Sequence, residues 1–210
     1  MMAKGCTQRA AGSEEGKPVK DLYRIMRDRR SIRKYKPDPV PAEALTTILS
    51  AGGLAPSGAN RQPWLYVVVD DPAVKREIRR LSEEADARWN AEQPAGFRSW
   101  LRQQDIAENA KPFLEAAPLL LCVFGRTGEP YWLESTWISV SYLLLATEEQ
   151  GLGTLTYTPG YPGFLNVLLE VPESFSPQAI LPLGYADEVP EPKVRPGREL
   201  ATYVHKNQFR

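Results

Sequence analysis

Three short apolar runs limit what this chain can fold into: Leu65-Tyr66-Val67-Val68-Val69, Leu119 to Phe124, and Ala179 to Leu183. Each lacks polar alternation and is short for a buried helix; the first two read as buried strands and the third as a further strand. Between them, apolar residues recur at helical spacing. Val19, Leu22, Ile25 and Met26 mark a first helix, and Pro41-Ala42-Glu43 opens a second that carries Leu45, Ile48 and Leu49 and stops at Gly52-Gly53. Asp71-Pro72 caps a third, with Val74, Ile78, Leu81 and Ala85 on one face, running to about Trp89. From about Glu134 to Gln150 the apolar content is too broad for a one-sided helix, which predicts a central helix buried against the sheet or a partner subunit. Gly153 to Gly160 reads as a strand entering a turn, with Thr154, Thr156 and Thr158 alternating toward one face. Phe164, Leu165, Leu168 and Leu169 suggest a further short helix. Strands interleaved with helices, without internal repeats, imply a mixed central sheet flanked by helices.

The ends differ from this pattern. Residues 1–18 are polar and read as a disordered tail, residues 19–187 as one core-forming domain, and residues 188–210 as an extended arm carrying Lys193, Arg195 and Arg198. At about 90–112 the periodicity lapses: Gln93-Pro94-Ala95-Gly96 interrupts, Phe97, Trp100 and Leu101 form a short amphipathic stretch, and Lys111-Pro112 closes it. That is the profile of a covering lid, and equally of a plain surface helix.

Charge and composition narrow the function. The chain has 26 basic and 26 acidic residues, so no broad positive field favours nucleic acid. No apolar run is long enough to span a membrane, and the first twenty residues lack the apolar block of a signal peptide. With Cys6 and Cys122 forming a poor disulfide candidate, these features point to the cytoplasm. A lone histidine, His205, argues against a His-based metal site or a Ser-His-Asp triad. An enzyme with this composition would take its hard chemistry from a bound cofactor.

Two segments could serve one. Arg29-Arg30-Ser31-Ile32-Arg33 places three guanidinium groups and a hydroxyl at a helix end, a donor set suited to phosphate; its plain alternative is a solvated basic face. Leu54 to Trp64 is a loop in which Gly58 and Ala59 let backbone approach a ligand closely, or else an ordinary connector.

Taken together, Arg29 to Arg33, the loop Ala55-Pro56-Ser57-Gly58-Ala59-Asn60 with Gln62-Pro63-Trp64, and Leu183-Gly184-Tyr185 before a basic, proline-rich arm resemble the FMN-dependent nitroreductase superfamily. Ala55 to Ala59, Asp71-Pro72-Ala73-Val74-Lys75 and Thr156-Tyr157-Thr158-Pro159 are most similar to its iodotyrosine deiodinase branch. The resemblance implies an α+β, nitroreductase-like fold in an intertwined homodimer, with FMN held at the interface. It further implies that Arg29, Arg30, Ser31 and Arg33 hold the phosphate and ribityl end, joined by Lys193 or Arg195. Pro56, Ser57 and Gly58 would line the isoalloxazine from the partner chain, Thr156, Tyr157 and Thr158 would border it, and Thr158 would donate to flavin N5. Such a contact suits single-electron as well as hydride transfer, as reductive dehalogenation requires.

In that branch the backbone at Ala59 would meet the substrate phenolate, and a Glu-Tyr-Lys trio would bind an amino-acid zwitterion. Lys111 stands at the position of the lysine, but Asp86 and Asn90 occupy those of Glu and Tyr. The resemblance therefore implies reductive dehalogenation of halotyrosines or halophenols. The altered trio keeps two alternatives in view: a broad NAD(P)H-dependent nitroaromatic or quinone reductase, and a non-catalytic flavin-binding protein. The implied electron donor is NAD(P)H or a redox protein.

Overall fold

Strand β2 (Leu119–Arg126) is the axis of the molecule, a computed structural model that describes residues 21–103, 110–190 and 199–209. It pairs antiparallel with β1 (Trp64–Val69) and with β4 (Phe175–Gly184), and β4 pairs with β3 (Gly153–Thr154), giving the order β1-β2-β4-β3. These ladders are all antiparallel. Among the described residues, the parallel component expected of a mixed sheet enters only as an isolated bridge between Ser31 and Thr154. The tail expected at 1–18 lies outside the described residues, as do 104–109 of the expected lid and 191–198 of the expected arm, including Lys193, Arg195 and Arg198.

Successive β2 side chains enter two separate cores. Leu120, Cys122 and Phe124 pack with Ile78, Phe113, Leu114 and Leu165, whereas Leu121 and Val123 pack with Ile48, Val140 and Leu143. A strand covered on both faces needs an apolar residue at every position, which is why this run has no polar alternation.

One layer is α3 (Pro72–Glu92) with α5 (Phe113–Ala116) and α7 (Phe164–Leu168), and the other is α2 (Ala42–Gly53) with α6 (Trp132–Glu149). Helix α1 (Leu22–Asp28) precedes them, and α4 (Ala95–Gln103) follows α3 in the stretch read from sequence as a lid or a plain surface helix. The Asp71 carboxylate accepts the Ala73 and Val74 amides at the start of α3, with Pro72 in its first turn. The helix passes Trp89 and ends at Glu92; the exposed Arg88–Glu92 pair lies at the favourable i,i+4 spacing.

Helix α6 shows how its broad apolarity is used. Its sheet-facing side is largely small and hydroxylated: Ser135, Thr136, Ser139, Val140, Leu143 and Thr147 are buried, while Leu133, Ile138 and Tyr142 are exposed. Thr136 and Thr147 donate to carbonyls one turn back, and Ser139 donates to Gly52 O at 2.9 Å. The helices approach so closely that a Cβ at Gly52 would sit 2.6 Å from Leu143. Compact hydroxyl side chains fit this approach, leaving larger apolar residues on the outer face.

Burial pushes the Cys122 thiol up to about 12, whereas an exposed thiol ionises at about 8.5. Between those values the folded chain keeps a proton that the unfolded chain has lost. This contribution to stability is therefore intact below about pH 8.5 and declines as pH rises toward the folded value. Iodoacetamide at about pH 8 should leave Cys122 unmodified in the native protein and label it only in denaturant; mass mapping of that peptide checks this. No helix among the described residues is long and apolar enough to cross a membrane.

Candidate functional site

Beyond α1 the chain is extended and held from two directions. Ser31 bridges Thr154, and Ile32 N–H donates to Thr154 O at 3.0 Å. Farther along, Tyr35 bridges Ala186, Lys36 N–H donates to Tyr185 O at 2.9 Å, and Asp187 N–H donates to Lys34 O at 2.9 Å. Ile32 and Tyr35 are buried, and the Tyr35 hydroxyl donates to Ile32 O at 2.6 Å. At Gly153 a Cβ would lie 2.8 Å from the Ile32 side chain, so this crossing needs glycine. Alternation then leaves Ser31 and Arg33 exposed, while Arg29 and Arg30 are half-buried.

The Arg30 guanidinium folds over the end of α1, donating to the carbonyls of Arg27 and Arg29 at 3.0 and 3.2 Å. The Arg33 side chain has no hydrogen bond or ion pair among the described residues. Glu188, the nearby acid, accepts the main-chain amides of Arg33 and Lys34 and pins the start of the arm to this turn. Exposed guanidinium and hydroxyl donors, with that carboxylate turned to the backbone, are a donor set that fits a phosphate.

The bridge at Ser31 sets this cluster beside the threonine segment. There the ladder stops after Thr154 and resumes only as a bridge at Tyr157, whose amide and carbonyl pair with Ile180 at 3.1 and 2.8 Å. The expected alternation is therefore interrupted: Thr154 is buried, Thr156 half-buried and Thr158 exposed.

The loop before β1 is built around Ser57, whose hydroxyl accepts Gln62 N–H at 3.0 Å and whose carbonyl accepts Asn60 N–H at 3.0 Å. Ala59, Asn60 and Gln62 have φ of 47°, 54° and 47°, sparsely populated values for non-glycine residues. Gly58 donates its amide to Ser135 Oγ at 3.2 Å, and a Cβ there would meet Tyr131 at 2.8 Å and Pro130 O at 2.9 Å. The loop thus docks on the start of α6, where Arg61 forms a two-pronged pair with Glu129 at 2.6 and 3.1 Å. Pro56 and Ala59 face outward, and Ser57 and Gly58 are half-buried.

A second cluster joins α3 to the threonine segment. Asp86 Oδ2 accepts the Tyr157 hydroxyl at 2.9 Å and lies 3.5 Å from Lys111 Nζ, and Asp86 Oδ1 accepts Gly160 N–H at 2.9 Å. The side chains of Lys111 and Asp86 are only 11% and 16% exposed. Lys111 N–H donates to Glu83 at 2.7 Å, and Glu83 pairs with Arg79 at 2.8 Å. Burial holds the Tyr157 hydroxyl well above the usual phenol range, and the Asp86 charge adds to that effect. Ser82 Oγ, fully buried on α3, has no hydrogen-bond partner of regular geometry but lies near enough to the Tyr157 oxygen to favour its ionised form slightly.

Asp86 and Lys111 are thus brought together, and Asn90 is half-buried one turn farther along α3, its carbonyl accepting Gln93 N–H at 3.3 Å. Sequence reasoning overlooked Gly160, Tyr161 and Glu188. A Cβ at Gly160 would lie 2.5 Å from that of Trp89, Arg88 stacks 4.6 Å above the Tyr161 ring, and the Tyr161 hydroxyl donates to Glu92. The Pro-Gly-Tyr-Pro-Gly run at Pro159 to Gly163 was a turn signal that could have drawn attention to this contact.

The chain belongs to the nitroreductase family, whose sequence model matches residues 26–185. Within that family it is similar to iodotyrosine deiodinases. The Thermotoga neapolitana protein of that name is 40% identical over 177 residues, covering 83% of this chain and 93% of its own. Human iodotyrosine deiodinase 1 is 34% identical over 195 residues, covering 86% and 67% respectively. A crystal structure of oxidized iodotyrosine deiodinase bound to FMN and 3-iodo-L-tyrosine superposes with a TM-score of 0.82 at 38% identity, covering 90% of this chain and all of that one. An FMN-dependent nitroreductase from Clostridium difficile superposes with a TM-score of 0.70 at 26% identity, covering 88% and 98%.

Proposed function

We propose that this protein is an FMN-dependent oxidoreductase that removes halide from halotyrosines or related halophenols, acting as a homodimer in the cytoplasm. The observation that carries this reading is the Ser31–Thr154 bridge, which brings the arginine-rich turn beside the segment leading to Thr158. Arg29, Arg30, Ser31 and Arg33 would bind the FMN phosphate and ribityl chain, with Lys193 or Arg195 adding a charge from the arm. Thr158, exposed on its turn, would present its hydroxyl to flavin N5. Pro56, Ser57 and Gly58 would come from the second copy, while Thr156 and Tyr157 border the ring. Leu22, Tyr23 and Met26 on α1, with Leu133, Ile138 and Tyr142 on α6, support the dimer as exposed apolar surface. Bound FMN supplies the electrons, singly or as hydride, after reduction by NAD(P)H or a redox protein.

The chain's own groups would orient the substrate. The backbone at Ala59, exposed with positive φ, would meet the phenolate. Lys111 would bind the substrate carboxylate, with Asn90 as a neighbouring hydrogen-bonding group. A broad nitroaromatic or quinone reductase is the second reading, favoured by one observation: Asp86, the expected ammonium partner, is already engaged by Tyr157, Gly160 and Lys111.

Purified protein should show the visible absorbance of oxidised flavin and, under dithionite, release iodide from mono- and diiodotyrosine. If iodotyrosine binds no better than phenol and releases no iodide, the deiodinase reading fails; fast NAD(P)H-driven nitroaromatic turnover would then support the second reading. Lys111→Ala should leave FMN bound and raise the Michaelis constant for a zwitterionic halotyrosine about 10- to 100-fold, as for loss of a charged hydrogen bond. A halophenol lacking both charged groups should show no such change, and an equal effect on the two substrates would refute the assignment of Lys111.

A further inference from the structure

We infer that Asp86 is a positioning residue that anchors the turn carrying Thr158 to α3, rather than the receptor for a substrate ammonium group. The inference rests on the proposed approach of Thr158 to flavin N5. One carboxylate grips both ends of this turn, because Oδ2 accepts the Tyr157 hydroxyl at 2.9 Å and Oδ1 accepts Gly160 N–H at 2.9 Å. Only Thr158 and Pro159 lie between. Pro159 is buried with a ring-fixed φ, and the Tyr157 backbone is bonded in both directions to Ile180. Thr158 is therefore an exposed residue on a turn tied at each flank. A carboxylate offers about four acceptor positions. With Lys111 Nζ 3.5 Å from Oδ2, three donors already converge on Asp86, and a substrate ammonium would have to displace one of them.

The short side chain also suits this role. Trp89 lies so close to the turn that a Cβ at Gly160 would meet it at 2.5 Å. At this separation the aspartate reaches both donors. The other groups around the cluster are Lys111 and Glu83, whose carboxylate accepts the Lys111 amide, and the buried hydroxyl of Ser82. The Asp86–Lys111 pair by itself would make Asp86 only a charge partner. The two bonds to the turn make it an anchor as well.

The test compares Asp86→Ala, Asp86→Asn, Tyr157→Phe, Thr158→Ala and the double variants of Thr158→Ala with Asp86→Asn and with Tyr157→Phe, all in the full chain. Amide exchange in the FMN-free protein should quicken about tenfold or more at Gly160 in Asp86→Ala, which removes both acceptor oxygens, the factor for losing one hydrogen bond. In the FMN-loaded protein, Asp86→Asn and the charge-neutral Tyr157→Phe should shift the flavin midpoint potential in the same direction as Thr158→Ala. Each double variant should shift it no further than Thr158→Ala alone, because residues acting through one group are not additive. Asp86→Asn should also change the Michaelis constants of a halotyrosine and of its analogue lacking the ammonium by the same factor. Unchanged exchange at Gly160, additive potentials, or a rise confined to the ammonium-bearing substrate would each overturn the inference. If Asp86→Asn does not fold, Tyr157→Phe decides through its potential and its double variant. If Thr158→Ala leaves the potential unmoved, the flavin role of Thr158 fails, and the Gly160 exchange still decides whether Asp86 anchors the turn.

Discussion

Phe124→Ala should lower the unfolding free energy by about 3–5 kcal/mol, with the transition in urea moving to lower concentration at an unchanged slope. Phe124 is fully buried on the central strand, opposite Leu65 on β1 and Pro177 on β4, in the core formed with Ile78, Leu114 and Leu165. Strands on both sides hold its backbone, so the surrounding structure has little freedom to collapse into the space left by the ring. Val68→Ala on β1 is the control. Val68 is partly exposed, and its truncation should cost less than about 1 kcal/mol. Similar losses at the two positions would mean that β2 is not covered on both faces.

Arg33→Ala should weaken FMN binding by about 1.5–3 kcal/mol, roughly 10- to 150-fold in dissociation constant, as expected for a charge-assisted bond to phosphate. The Arg33 backbone is fixed by Glu188 and by the neighbouring contacts at Ile32 and Lys34, so truncation should remove the guanidinium without moving the chain. Flavin fluorescence titration measures the effect. Arg33→Lys should recover only part of it, because an ammonium keeps the charge and loses the fork. Because the effect depends on charge, the deficit should narrow as salt is raised. An unchanged affinity in Arg33→Ala would remove this residue from the proposed phosphate site.

The fold was legible where the signal was short-range. The run Leu65 to Val69 gave β1 to within one residue at its start, and Leu119 to Phe124 gave most of β2. The first half of β4 was missed because Ser176, Pro177 and Gln178 resemble loop. The structure keeps them in the strand by a register shift between Val123 and Phe124, which lets Pro177 sit at an irregular position. The threonine segment was read as too regular for the opposite reason: its composition favours a strand, but its ladder ends at Thr154.

The arginine cluster and the Ser-Gly-Ala loop could be picked out as candidate ligand-binding segments, because their residue types carry their chemistry wherever they are placed. Their surroundings could not be read in the same way. Asp86 meets Tyr157 and Gly160 across separations of 71 and 74 residues. No local spacing encodes that contact.

The sequence by itself determined most of the helices, the Asp71 cap of α3 and the double-sided apolarity of the central strand, because these depend on side chains a few residues apart. Tertiary structure alone decided that the arginine turn lies beside Thr154 and that one carboxylate holds the turn around Thr158. Both follow from the packing of distant segments onto the same sheet: the Ile32–Gly153 contact allows the first, and the close approach of Trp89 to Gly160 allows the second.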